Sequence, residues 1–239
     1  MPKQNLAFAL DFPSFEEARP SLAPLREVVG FAKIGLELFT RDGPIAVRGA
    51  LDAGFDVFLD LKLHDIPATV ERAVANAARL GATLLTVHTT GGPAMLERAV
   101  KAASDSSDQL RIVGVTVLTS LDTSDLIATG VDATPADHAS KLARMAWDAG
   151  VRVFVCSPKE VKRLRAELGA DATFITPGIR PAGTAAQDQK RIATPASAIG
   201  DGADILVVGR PIRDAIDPAL AAKAIVDQID AALAERSAK

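Results

Sequence analysis

The chain has 239 residues, 48% of them hydrophobic and 24% charged. That balance excludes a disordered, collagen-like or coiled-coil chain and is rich enough for a sizeable core. With 27 Lys and Arg against 30 Asp and Glu, the net charge is −3; with no Tyr and one Trp besides, nucleic acid is an improbable partner.

The single cysteine, Cys156, excludes an intramolecular disulfide and a CxxC metal site, and it points to a reducing, cytoplasmic setting. The first eleven residues carry no long apolar run and Asp11 interrupts early, so no secretory signal is expected there. No stretch of 18 apolar residues exists, so no membrane partner is expected.

In chain order, short β-branched runs predict strands at 5–10, 31–36, 56–61, 83–88, 111–118, 151–156, 173–176 and 205–209. Helical periodicity falls between them, at 67–80, 94–103, 135–149 and 159–168, and again at 218–234. Pro20 and Pro24 break the first helical region. Gly54, Gly81, Gly150 and Gly169 stand where helices should stop before the next strand. Eight βα steps of roughly 30 residues each predict an α/β fold, a (β/α)8 TIM barrel occupying 1–239 as one domain. The rival is an open doubly wound sheet, but no glycine-rich phosphate cradle follows the first strand. Segments 119–135 and 178–189 read as long polar loops after strands, on the face where barrel enzymes work. The basic run 159–165 reads as a solvated helix face.

Charges occur where a barrel interior should be apolar. In the third strand Leu59, Leu61 and Leu63 share the helix-facing side, so Phe58, Asp60 and Lys62 point inward. In the second, Ala32, Ile34 and Leu36 face the helices and Lys33 faces in. In the first, Phe8 and Leu10 take one side and Asp11 the other. Asp11, Lys33, Asp60 and Lys62 should therefore converge from three adjacent strands, with signs that alternate. Buried charges are costly unless paired, so such a set points to chemistry more than to stability.

A second cluster lies at the seventh and eighth strand ends, in Thr176-Pro177-Gly178-Ile179-Arg180-Pro181 and Val207-Val208-Gly209-Arg210-Pro211-Ile212. Loops there often hold a phosphate in such barrels. Gly178 and Gly209 allow backbone approach to an anion, Arg180 and Arg210 offer forked donors, and Gln189 adds a neutral one. Thr119 and Ser120, after the fifth strand, could hydrogen-bond a polar ligand. His64, His88 and His138 form no zinc-binding spacing, so no metal site is expected. His88 could serve as an acid/base group or be a structural histidine. Cys156 reads as a small core hydrophobe, and Trp147 as helix packing.

The segment Asp60-Leu61-Lys62-Leu63-His64-Asp65-Ile66-Pro67-Ala68-Thr69 resembles the DxKxxDIPxT signature of the orotidine 5′-phosphate decarboxylases. The resemblance extends through Ala9-Leu10-Asp11, Lys33-Ile34-Gly35, Val87-His88, Val115 to Ser120, Asp188-Gln189 and both arginine-bearing strand ends. Sugar-phosphate decarboxylases and aldolase-like synthases share DxKxxD but carry a magnesium-binding carboxylate in the second strand, where this chain has Lys33. The resemblance implies that orotidine 5′-phosphate is converted to UMP and CO2, with no metal or organic cofactor. It implies Lys62 as the group that stabilises and protonates C6. By the same resemblance Asp60 would sit beside the substrate carboxylate, either repelling it or holding Lys62. Lys33 and Asp11 would pair with the array and bind the ribose, and Thr119 and Ser120 would read the pyrimidine edge. Arg210, Gln189 and the Gly209 amide would clamp the phosphate, and Arg180 matches the remaining substrate-binding arginine. Asp65 and Thr69 would reach the neighbouring subunit's site in a homodimer, and phosphate binding would close the loop at 178–189. Other readings of the residues are a magnesium-dependent sugar-phosphate enzyme, a Schiff-base aldolase using Lys33 or Lys62, and a barrel that only binds a phosphorylated ligand.

Overall fold

The apolar runs form eight strands: β1 (Leu6–Ala9), β2 (Phe31–Gly35), β3 (Asp56–Leu63), β4 (Leu84–His88), β5 (Arg111–Val115), β6 (Val153–Val155), β7 (Thr173–Thr176) and β8 (Ile205–Val208). Neighbours pair in parallel in chain order, and β8 returns to β1 to close the barrel. This is a computed structural model, and it describes residues 2–181 and 193–237.

Alternation along each strand divides the core into two layers. Ala7, Ala9, Phe31, Phe58, Leu84, Val113, Val153, Ile175, Ile205 and Val207 fill the barrel interior. Their neighbours Leu6, Phe8, Ala32, Ile34, Val57, Leu59, Leu85 and Leu206 point outward into a larger layer beneath the helices. Strands buried on both faces have few polar residues, which is why they read as apolar runs.

The helices are α1 (Phe15–Ala18), α2 (Leu36–Asp42), α3 (Pro44–Asp52), α4 (Pro67–Arg79), α5 (Pro93–Ser106), α6 (Thr123–Ala128), α7 (Pro135–Asp148), α8 (Pro158–Leu168), α9 (Pro195–Gly200), α10 (Arg210–Arg213) and α11 (Pro218–Ser237). Seven of them begin on proline, whose fixed φ suits the first helical position and whose missing N–H is no loss there. Gly54, Gly81, Gly150 and Gly169 end α3, α4, α7 and α8 with φ of 87°, 88°, 94° and 78°, the left-handed geometry that a C′ residue needs.

Three sequence readings need correction. The fifth strand stops at Val115 rather than running to 118, and the polar segment after it contains α6. A capping box starts that helix: Asp122 accepts from the Ser124 and Asp125 N–H groups, and the Asp125 carboxylate accepts from the Asp122 N–H. Leu36 does not face the helices as a strand residue; it opens α2 and is 55% exposed. The basic run on α8 is not all solvated. Arg163 pairs outward with Asp137 and Glu167, but Arg165 turns to the base of the barrel. There it donates to Asp204 and to the carbonyls of Gly169, Ala172 and Gly202.

The first and last described elements also come together at that base. Asn5 donates to the Asp204 carbonyl, and Arg236 near the end of α11 donates to the carbonyls of Ile199 and Ala203.

Candidate active site

At the opposite, C-terminal end of the strands lies a cavity of about 250 Å³. Inward side chains of β1 to β3 supply one wall: Ala9, Asp11, Lys33, Phe58, Asp60 and Lys62. Val115, Val117, Leu118, Thr119 and Val155 make an apolar side, while Pro177, Gly178, Arg180, Val207, Gly209 and Arg210 line the rest.

The four charges of the first wall form a chain of alternating sign. Lys33 Nζ lies 3.5 Å from Asp11 and 3.6 Å from Asp60, and Lys62 Nζ donates to Asp60 Oδ1 at 2.8 Å. Asp60, the middle carboxylate, is only 14% exposed. Burial alone would raise its pKa. The ammonium groups of Lys33 and Lys62, with hydrogen bonds from Lys62 and Thr86, overcome that and hold the carboxyl below its ordinary value. Asp60 is therefore ionised at neutral pH.

The backbone carries a local distortion at the same point. Between the pairs Leu59↔Leu85 and Leu63↔Val87, β3 advances four residues while β4 advances two. Lys62 has φ of +50°, the one non-glycine residue with positive φ among those described. A side chain there costs about 1–3 kcal/mol, a strain that clusters at functional sites.

Glycines and one arginine shape the neighbourhood. A Cβ on Gly209 would lie 3.2 Å from Asp11 Oδ2, and one on Gly35 would lie 3.2 Å from Lys33 Nζ. Both positions leave the charged ends room. Arg213 donates to the Asp11 carbonyl at 2.8 Å, fixing the backbone that carries the first carboxylate. Arg213 and Thr86 are not among the sequence candidates, and Gly35 enters there only within Lys33-Ile34-Gly35. Of these, only Thr86 left a signal, as an inward polar residue alternating with Leu84 on the strand beside Asp60 and Lys62.

The remaining sequence candidates are placed as follows. Arg180 is buried, 8% exposed, with its guanidinium donating to the Ile179 carbonyl, and Arg210 also lines the cavity. Thr119 lines the cavity, whereas Ser120 is exposed and outside the lining. Asp65 and Thr69 lie outside this chain's own cavity lining; Asp65 is exposed and accepts from the Ile66 N–H at 2.6 Å. Gln189 and residues 182–189 of the long loop lie outside the described residues. The base of that loop is a bridge between Ile179 and Ala193.

His88 is half-buried with its ring 5.6 Å from that of His64. Burial first, then His64 and Lys62, push its pKa down against the opposing pull of Asp60, so it is neutral at pH 7. Cys156 is fully buried and its thiol is pushed well up by burial, which makes it inert packing. A divalent cation fits the charged wall poorly, because an ammonium group stands beside each inward carboxylate.

The family model described as Orotidine 5'-phosphate decarboxylase / HUMPS family matches residues 4–225. A relative named orotidine 5'-phosphate decarboxylase, from Anaeromyxobacter dehalogenans, is 52% identical over 212 residues, covering 89% of this chain and 92% of that one. Another of the same name, from Thermobifida fusca, is 50% identical and covers 87% and 88%. A crystal structure of orotidine 5'-phosphate decarboxylase from Lactobacillus acidophilus superposes with a TM-score of 0.84 at 34% identity, covering 95% of this chain and 99% of that one. With its closed eight-stranded barrel and these matches in both sequence and structure, the chain belongs to the orotidine 5'-phosphate decarboxylase / HUMPS family.

Proposed function

We propose that this protein decarboxylates orotidine 5′-phosphate to UMP and CO2, a step of pyrimidine biosynthesis. The observation that carries the reading is the alternating Asp11–Lys33–Asp60–Lys62 chain in one cavity with Arg210 and the Gly209 backbone. Loss of CO2 leaves an electron pair on C6 in the plane of the ring, where the π system cannot accept it. A fixed ammonium beside that carbon stabilises the developing charge, and Lys62 is that group. Its proton then passes to C6 and water reprotonates the amine. Asp60 holds Lys62 in place, Lys33 and Asp11 extend the array to the ribose, and Arg180 and Thr119 line the substrate's path.

The finer assignments belong to the same proposal. The whole chain acts as one barrel domain. It works as a homodimer in which Asp65 and Thr69 complete the partner's site, and it resides in the cytoplasm, a reducing compartment that suits a lone thiol. The direct test is the ultraviolet absorbance change on mixing pure protein with orotidine 5′-phosphate, before and after exhaustive dialysis against EDTA. Equal turnover in both is expected. Activity lost to the chelator and restored by Mg2+ would move the assignment to the sugar-phosphate relatives.

Arg210→Ala tests the phosphate clamp. Breaking a charged hydrogen-bonded pair costs about 2–5 kcal/mol, so KM for orotidine 5′-phosphate should rise by at least about 30-fold. Turnover of the nucleoside lacking phosphate should barely change. Equal damage to both substrates would place Arg210 at the ring or in the fold.

A further inference from the structure

Thr86 sits in β4 opposite the distortion in β3, with no solvent exposure. The extra residues of β3 leave the Lys62 N–H out of register with the β4 backbone, and a buried unpaired N–H is costly. The Thr86 hydroxyl takes that place. Lys62 N–H donates to Thr86 Oγ1 at 2.8 Å, and Thr86 Oγ1–H donates to Asp60 Oδ1 at 3.0 Å. The direction of both bonds is fixed, because a peptide N–H can only donate and an ionised carboxylate can only accept. One hydroxyl therefore holds the backbone of the lysine and the side chain of its carboxylate partner together. The same Oδ1 receives the Lys62 ammonium at 2.8 Å, which closes the loop from Lys62 backbone to Lys62 side chain.

We infer that Thr86 is a positioning residue of the decarboxylation centre: its hydroxyl locks the positive-φ backbone of Lys62 and the rotamer of Asp60, so that the ammonium meets the reacting carbon in one place. It touches neither the cavity nor any substrate atom, and it acts only through Lys62 and Asp60. The inference rests on the decarboxylase reading for its kinetic consequence, but not for its geometry.

The test compares Thr86→Val, which keeps shape and removes the hydroxyl, with Thr86→Ser, which keeps the hydroxyl. A hydrogen bond to a charged group predicts a fall in kcat of about 10- to 100-fold for Thr86→Val. KM and UMP binding should stay within about threefold, because the lost interaction serves the reacting centre and not ground-state binding. Thr86→Ser should restore kcat to within about threefold of the wild type. Wild-type kcat in Thr86→Val would overturn the inference. So would equal losses in Val and Ser, which would mean packing, or a lower melting temperature with UMP binding lost together with kcat, which would mean fold. A crystal structure of Thr86→Val reads the geometry without turnover. Lys62 should leave positive φ or Asp60 should turn from it; an unchanged pair overturns the inference. An inactive wild type would instead count against the decarboxylase reading alone.

Discussion

Lys62→Ala should lower kcat for orotidine 5′-phosphate by at least about 10⁴-fold. Two effects vanish together. A positioned proton donor contributes about 10²–10⁴-fold, and a preorganised charge facing a developing anion contributes about 10²–10³-fold. The ammonium at 2.8 Å from Asp60 supplies both in the proposed mechanism, so the losses compound. Stability should move differently. Alanine retains the strained φ of +50°, whereas glycine adopts it freely. Lys62→Gly should therefore melt above Lys62→Ala, by the equivalent of about 1 kcal/mol, although both are inactive. Steady-state absorbance assays and thermal melts of the two variants read this directly. A kcat within about tenfold of the wild type in either variant would remove Lys62 from the chemistry.

Mixing Lys62→Ala with Asp65→Ala, each nearly inactive alone, should return about a quarter of wild-type activity under conditions of subunit exchange. Asp65 follows β3 and precedes α4, where its carboxylate is exposed and lies outside its own chain's cavity lining. Beside it Ile66 leaves 66% of its surface exposed. In the proposed shared-site homodimer, one site of a mixed pair would take Lys62 from one chain and Asp65 from the other and be intact, while the second would carry both defects. Random exchange makes half of the dimers mixed, which gives the quarter. If each chain used its own Asp65, no dimer would hold an intact site and activity would stay at the level of the separate mutants.

What sequence could and could not reveal follows from the period of a strand. Strict alternation places Phe58, Asp60 and Lys62 on one side of β3 and Leu59 on the other, and that is how they lie, with Leu61 and Leu63 packed against the outer layer. Alternation fails at Leu36, because Gly35 caps α2 and the rule carries no stop signal of its own. It is also blind to the register shift at Lys62, since two extra residues leave the inward and outward faces unchanged. Thr86 was overlooked for a related reason: threonine in a strand reads as ordinary β-propensity, and its partners are fixed only by the shifted register. α6, six residues long, is too short to show helical periodicity within a polar segment, and its Asp122–Asp125 capping box is visible only in the structure. Ser120 neighbours Thr119 in sequence and yet faces water, because the chain turns there instead of continuing β5.

The closure of β1 upon β8 also governs when this protein can exist. The hydrogen bond from Asn5 to the Asp204 carbonyl spans 199 residues, so the first strand has one edge without its partner until β8 has left the ribosome. At about 5–20 residues per second that interval is about 10–40 s. During it β1 presents an apolar, unpaired edge of the kind that templates aggregation. The last described helix matters for the same reason: Arg236 seals the carbonyls beside β8 only once α11 has followed it. A ring that gives the finished enzyme no open edge thus leaves the growing chain with one until β8 arrives.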